Sequence, residues 1–180
     1  GGSDGASSNL GTGATGKHTM AITIGTSGAA RMVVQEPQTD KYMRTFCYHV
    51  KDKEYIVGGA NNNGAVVLQW LKETLLQTGD SYEDLFKQAG TIRPGSDDLL
   101  FLPYLLGERA PIWNANASGA YVGLSIRHGK AHFARASMEG VIYCLYSIGK
   151  ILIEENEIAE LHASGGFARS ELWLRMLADV

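Results

Sequence analysis

The hydrophobic pattern near the start of the chain predicts two β-strands joined by a short glycine-bounded turn. Residues 18–24 alternate between larger apolar residues on one parity and small or polar residues on the other, which is typical of a half-buried strand. A second run, residues 29–34, follows Gly25-Thr26-Ser27-Gly28, so we expect a hairpin. Such a turn can hold phosphate oxygens through backbone N–H groups and the hydroxyls of Thr26 and Ser27, although the turn considered alone favours a plain hairpin.

The same reasoning predicts a second pair of strands, followed by two helices. Alternation predicts strands over residues 44–50 and 54–57, with the pattern broken by Gly58-Gly59. Helical spacing predicts a helix over residues 65–77, with Asn63 as its N-cap. A second helix over residues 81–89 begins with a capping box at Ser81-Tyr82-Glu83-Asp84, and Pro94-Gly95 marks a turn.

The second half of the chain combines one long helix with two short strands. The apolar run over residues 99–106 predicts a buried strand. A loop over residues 107–113 follows, and this loop is either structured or simply exposed to solvent. Residues 130–155 carry apolar side chains on most faces, so this longest helix should be largely buried. Residues 161–164 predict a short strand running into Gly165-Gly166, with a helix beginning near Arg169.

Composition bounds the class of protein. The 180 residues carry a net charge of −3 and 44% hydrophobic residues, which fits one globular domain with a real core. Lys and Arg are scattered, so nothing favours nucleic acid as a partner. We expect no membrane-spanning run and no signal peptide, and hence a cytoplasmic protein. Because the chain begins at Gly1-Gly2 without methionine, and ends in what resembles a helix, we expect a piece of a larger protein.

Neither the cysteines nor the histidines show metal-site spacing. Cys47 and Cys144 lie in apolar segments without CxxC spacing, so buried free thiols in a reducing compartment are expected. His128 and His132 are four residues apart, but no third ligand is evident and surface histidines are the simpler interpretation. The sequence therefore predicts no protein-held metal.

Residues 1–16 are rich in glycine, serine and threonine. They are either a linker or a glycine turn followed by a short helix, with Asp4 as its N-cap, through Leu10. Residues 11–16 match GxGxxG and residues 11–17 match GxxxxGK. Both phosphate-loop motifs require a preceding strand and a following helix, and a strand follows here, so we reject both.

Strand, glycine turn and helix N-terminus recur at Gly165-Gly166. This arrangement suits an anion or a nucleotide because free N–H groups and the helix dipole face outward there. A simple connection between strand and helix is the alternative.

Taken in order, these segments resemble the C-terminal domain of the FGGY family of carbohydrate kinases. The matching segments are residues 1–5 (GGSDG), 25–28 (GTSG), 107–113 (GERAPIW), 119–124 (GAYVGL), 135–140 (RASMEG) and 165–170 (GGFARS). Within the family, residues 46–48, 58–64 and 107–114 look most like the gluconate kinases. The resemblance implies an α/β fold, an actin-like ATPase (ribonuclease H-like) domain with a mixed sheet and flanking helices.

The resemblance also implies a reaction and a site. ATP, accompanied by Mg²⁺, would phosphorylate a sugar or sugar acid hydroxyl, which needs positioning, charge neutralisation and a base for the hydroxyl proton. Asp4 matches the family's catalytic base. The residues that match nucleotide contacts are Gly25, Thr26 and Ser27 for phosphate, Gly165 and Gly166 for adenosine, and Ser170, Gly64 and Gln69 near the adenine.

The chain departs from the family pattern in two ways. Many relatives have Trp-Asp-Pro and Ala-Arg-Gly where this chain has Trp113-Asn114-Ala115 and Ala117-Ser118-Gly119, so an ionic contact from that loop is in question. The family's N-terminal domain, with most sugar contacts, is absent, so residues 1–180 alone should be inactive. Xylulose, ribulose or glycerol kinases, or a non-catalytic actin-like nucleotide-binding module, remain alternatives, and the parent could form a homodimer.

Overall fold

The computed structural model describes Gly16 and residues 18–180, and these residues form a mixed five-stranded sheet, a two-stranded sheet and flanking helices. The strands are β1 (Thr19–Ile24), β2 (Gly28–Val34), β3 (Phe46–Lys51), β4 (Glu54–Asn61), β5 (Leu100–Leu102), β6 (Ala120–Val122) and β7 (Glu160–Ser164). The helices are α1 (Val66–Trp70), α2 (Tyr82–Ala89), α3 (Lys130–Glu155) and α4 (Glu171–Ala178).

The predicted hairpin of β1 and β2 lies at the centre of the main sheet. The strand order is β3-β4-β2-β1-β7, and β1 pairs antiparallel with β2 from Met20–Met32 to Ile24–Gly28. β7 pairs parallel with β1. As a result the end of β1 and the end of β7 point the same way, and the loops that follow both strands meet at one edge of the sheet.

Strand β4 continues through Gly58-Gly59, so the prediction that these glycines break the strand is wrong. The strand extends to Asn61 because β4 stays paired with β2 up to Gly28–Asn61, whereas its pairing with β3 ends at Gly58. A Cβ on Gly58 would lie 2.3 Å from the Ala30 carbonyl oxygen, and one on Gly59 would lie 2.7 Å from an Ile148 methyl. Because glycine has no Cβ, neighbouring atoms can pack closely against the strand at these two positions. The pairing and packing gained in this way outweigh the low strand propensity of glycine.

Helix α3 has the predicted bounds and is the core helix of the fold. Its buried side chains include Met138, Leu145 and Ile148, and it packs on β2, β4 and β5. By length and composition α3 could cross a membrane, so the prediction that no segment meets that criterion is wrong. Because 72% of its most apolar window is buried inside the structure, the apolar character of α3 is explained by core packing.

The two helices before the small sheet begin differently. Helix α2 is capped as predicted, with Ser81 Oγ accepting the Asp84 N–H at 3.1 Å. Helix α1 has Ala65 at its N-cap with no side-chain cap bond, so the prediction of Asn63 as N-cap is wrong. Helix α1 continues as a π-helical turn, Leu71–Leu75, which the apolar spacing does not distinguish from an α-helix.

The two histidines are half-buried rather than fully exposed, and both contact Asp97, whose φ of 53° lies in the left-handed region. His132 accepts the Gly129 N–H through Nδ1 at 3.1 Å, and its Nε2 lies 3.2 Å from Asp97 Oδ2. His128 Nε2 lies 3.0 Å from the Asp97 carbonyl oxygen. Within the part of the chain that the structure describes, no group of three or more His, Cys, Asp or Glu side chains could hold a metal ion.

Both cysteines are free thiols, but only Cys144 is fully buried, whereas Cys47 is half-buried. Burial, reinforced by the negative charge of Glu108, raises the pKa of the Cys144 thiol to about 12. Because the thiolate is the reactive species, we expect Cys144 to resist alkylation at pH 8 in the native full-length protein and to react once urea unfolds it. Peptide mapping by mass spectrometry after iodoacetamide treatment checks this. Labelling of Cys144 at the same rate with and without urea would contradict it.

Candidate functional site

A cleft of about 350 Å³ opens where β1, α1, α2 and the loop after β7 meet. Four of the residues predicted to bind nucleotide line it, namely Gly25, Thr26, Gln69 and Gly166. They lie up to 141 positions apart in the chain and converge because β1 and β7 end at the same edge of the sheet. The fold therefore brings the predicted phosphate turn and the predicted adenosine turn to one opening.

The Gly25–Gly28 turn presents two backbone N–H groups to the outside. Its own carbonyls are directed inward, since Ala65 N–H donates to the Gly25 carbonyl at 2.7 Å and Gly64 N–H to the Thr26 carbonyl at 3.0 Å. Among the described residues, no acceptor takes the N–H of Thr26 or Ser27, and both residues are exposed. Adjacent unpaired N–H groups of this kind form a cradle for anions such as phosphate.

Gly64 lies beneath the turn rather than in the cleft. A Cβ at this position would meet the Ser27 carbonyl oxygen at 2.5 Å and the Gly25 carbonyl oxygen at 2.6 Å. Only glycine allows the start of α1 to approach the turn this closely. In the structure Gly64 therefore has a packing role, and its predicted adenine-side contact stays a prediction.

The two glycines after β7 have separate roles. Gly165 has φ +102°, and a Cβ there would lie 2.3 Å from the Ile24 carbonyl oxygen, so this glycine lets the loop press against the end of β1. Gly166 has open space around its Cβ position and lines the cleft. Gly165 therefore allows the loop to pack against β1, and the missing side chain of Gly166 leaves space free in the cleft.

An aromatic group that the sequence analysis missed forms the inner wall of the cleft. Phe86 of α2 and Phe167 both pack edge-on against the buried Trp173 of α4, with ring centroids 6.4 Å and 5.9 Å apart. Tyr82 lies at the rim. Flat apolar walls of this type suit a heteroaromatic ring. The capping box predicts where α2 begins in the sequence. No sequence signal shows which face of this helix lies toward the cleft.

The structure gives less support for a ligand contact at the three remaining predicted site residues, Gln69, Ser170 and Asp4. Gln69 is exposed on the cleft wall and its amide donates to Glu73 Oε2 at 3.1 Å. Ser170 is the N-cap of α4, accepting the Trp173 N–H at 3.4 Å, and is not among the residues that line the cleft. Its predicted contact with adenine stays a prediction. Asp4 lies outside the described residues, so its role as base also stays a prediction.

The loop at residues 107–114 is structured and anchored by a buried carboxylate. Glu108 is 3% exposed, and its Oε1 accepts the N–H groups of Asn62 and Arg109, each at 2.8 Å. Asn114, which departs from the family pattern, pairs through its backbone with Glu108 in both directions at 2.9 Å. Its side-chain oxygen accepts the Asn116 N–H at 2.9 Å. The loop is thus held without an ionic contact from position 114.

The sequence and the fold agree with a known family. The model of the FGGY family of carbohydrate kinases, C-terminal domain, matches residues 20–180. The chain belongs to the FGGY family of carbohydrate kinases. The predicted fold class, the actin-like ATPase fold with a mixed sheet and flanking helices, is confirmed.

The similar proteins include kinases for two different substrates. The gluconokinase of Bacillus subtilis (strain 168) is 48% identical over 191 residues, covering 100% of this chain and 37% of the relative. The crystal structure of gluconate kinase from Lactobacillus acidophilus matches with a TM-score of 0.93 at 40% identity, covering 100% of this chain and 37% of that one. Ligand-bound xylulose kinase from Lactobacillus acidophilus matches with a TM-score of 0.94, also at 40% identity, with the same coverage of both chains. This chain spans just over a third of the length of these proteins.

Proposed function

We propose that the chain is the C-terminal nucleotide-binding domain of a carbohydrate kinase that transfers the γ-phosphoryl group of ATP to a hydroxyl of gluconate, giving 6-phosphogluconate. The observation that carries this proposal is the cleft, which is lined by the Gly25–Thr26 turn, by Gly166 and by an aromatic wall. The 48% identity to a gluconokinase supports the choice of sugar acid.

In this proposal each end of the nucleotide has its own set of residues. The N–H groups of Thr26 and Ser27 hold phosphate oxygens, and Mg²⁺ bound with the ATP neutralises part of their charge. The adenosine passes Gly166 and lies against the wall formed by Phe86, Phe167 and Trp173. Asp4 accepts the proton of the sugar hydroxyl as the new P–O bond forms.

Gluconate has one specific competitor. Because the xylulose kinase structure matches as well as the gluconate kinase structure, xylulose is the second candidate substrate. Most sugar contacts would come from the domain that precedes this chain, and residues 1–180 alone would be inactive. We further propose a cytoplasmic enzyme that can form a homodimer, with no nucleic-acid or membrane partner.

The test is an ADP-release assay on the full-length parent protein with ATP and Mg²⁺. The substrates are gluconate, xylulose, ribulose and glycerol, each at matched concentration. We expect turnover with gluconate at a kcat/KM at least about 100-fold above that for the other three, because a site built for particular polar groups rejects analogues that leave those groups unpaired. Turnover with xylulose alone would replace the substrate and keep the kinase. ATP binding without turnover on any of the four would favour a non-catalytic nucleotide-binding module.

A further inference from the structure

Asn61, the last residue of β4, has a fully buried side chain that bonds to the end of the Gly25–Gly28 turn. Asn61 is 0% exposed, and its Oδ1 accepts the Gly28 N–H at 2.6 Å. Gly28 is also its partner in the strand pairing of β2 with β4. A side-chain bond to the last residue of the turn fixes where the turn ends and the strand begins.

The backbone that follows Asn61 holds the other half of the turn. The N–H groups of Gly64 and Ala65 take the carbonyls of Thr26 and Gly25. Residues 61–65 thus bind the turn at both ends, with one side-chain oxygen and two backbone N–H groups. These contacts fix the turn and leave the N–H groups of the exposed residues Thr26 and Ser27 without an acceptor in the part of the chain that the structure describes.

Asn61 is itself held by the loop at residues 107–114. Its backbone carbonyl accepts Arg109 Nη2 at 2.8 Å, and its amide lies 3.5 Å from the Asn63 carbonyl oxygen. Asn63 is also 0% exposed and donates to the Gly107 carbonyl at 2.7 Å. The position of Asn61 therefore depends on buried contacts and not on the ligand.

We propose that Asn61 is a positioning residue for nucleotide phosphates, acting through Gly28 on the N–H groups of Thr26 and Ser27. This inference rests on the proposed function, and it assigns to Asn61 an effect on the binding of the nucleotide's phosphate groups only. Anion binding by backbone N–H groups depends on their being oriented before the ligand arrives. Without Asn61 Oδ1 the Gly28 N–H loses its acceptor and the turn can rotate.

The test compares two ligands that differ only in phosphate, using the full-length protein and isothermal titration calorimetry. In Asn61→Ala we expect ADP to bind about fivefold to tenfold more weakly, because the Gly28 N–H loses its buried acceptor and the turn loses part of its fixed orientation. Adenosine should bind as in the wild type, because it does not use the phosphate turn. A purely structural defect would weaken both ligands.

A matched control and a second variant keep the test independent of folding. Asn156→Ala removes an amide that bonds Gln38 and the Leu152 carbonyl away from the cleft, and both affinities should be unchanged. Gly28→Ala would place a Cβ 2.7 Å from Asn61 Oδ1 and displace it, so ADP binding should weaken as in Asn61→Ala. Combining the two changes should weaken ADP binding no further than Gly28→Ala alone, because both act by breaking the same hydrogen bond between Gly28 and Asn61.

Two results would overturn the positioning role while leaving the proposed function intact. One is an equal loss of ADP and adenosine affinity in Asn61→Ala, and the other is additive effects of the two substitutions. A wild-type protein that binds neither ligand would overturn both proposals. These outcomes separate failure of the inference from failure of the function.

Discussion

Replacing Asp4 by Asn in the full-length protein is expected to lower kcat by a factor of about 100 to 10,000, which is the usual contribution of a general base. Asparagine has nearly the shape of aspartate but cannot accept the proton of the sugar hydroxyl. The Kd for ADP should stay within about twofold, because the proposed nucleotide contacts are made by the Gly25–Gly28 turn and by Gly166 and not by Asp4. Steady-state kinetics with gluconate, together with calorimetry for ADP, measure the two effects separately.

The matched control for this substitution is Asp52→Asn. Asp52 is exposed in the tight turn between β3 and β4, where its φ of 44° suits asparagine equally well. Wild-type kcat and affinity are expected for this variant. If Asp4→Asn kept more than about a tenth of the wild-type kcat, another group would have to be the base and the role of Asp4 would be abandoned.

The central hairpin and the long helix could be predicted from the sequence because each carries its own periodic signal. The alternation before and after Gly25-Thr26-Ser27-Gly28 gave both strands to within one residue, and α3 has the bounds that its apolar run indicated. The extension of β4 through Gly58-Gly59 could not be predicted in this way. Its stability comes from ladder bonds to β2, which continue to Asn61 and are contacts distant in the chain.

The candidate site was predictable in part for the same reason. Glycine turns are local signals, and Gly25 and Gly166 do line one cleft. Asn63 illustrates the limit, because an asparagine before a helix fits a local cap and the structure uses its side chain instead to hold a loop 44 residues away. The aromatic wall and the Asn61 bond to Gly28 are likewise defined only by tertiary contacts.

Replacing Gly166 by Val is expected to weaken ADP binding by about tenfold to hundredfold without destabilising the fold. Nothing lies within 4 Å of the Cβ position, and the residue has no left-handed φ, so valine can be accommodated in the free protein. Because Gly166 lines the cleft, the added side chain would take up space that the proposed position of the adenosine requires. Overfilling a packed site costs roughly 1–3 kcal/mol, which gives the expected range.

Two other glycines make the Gly166→Val result interpretable. Gly79→Val introduces the same side chain at another open position that is not among the residues lining the cleft, and should leave both the Kd for ADP and the melting temperature unchanged. Gly165→Val should instead lower the melting temperature, because a Cβ there meets the Ile24 carbonyl oxygen at 2.3 Å and φ is +102°. Calorimetry and thermal melts of the three full-length variants distinguish a blocked cleft from a damaged fold. Unchanged ADP affinity in Gly166→Val would mean that the adenosine lies elsewhere, since no nucleotide could share the cleft with that side chain at no cost.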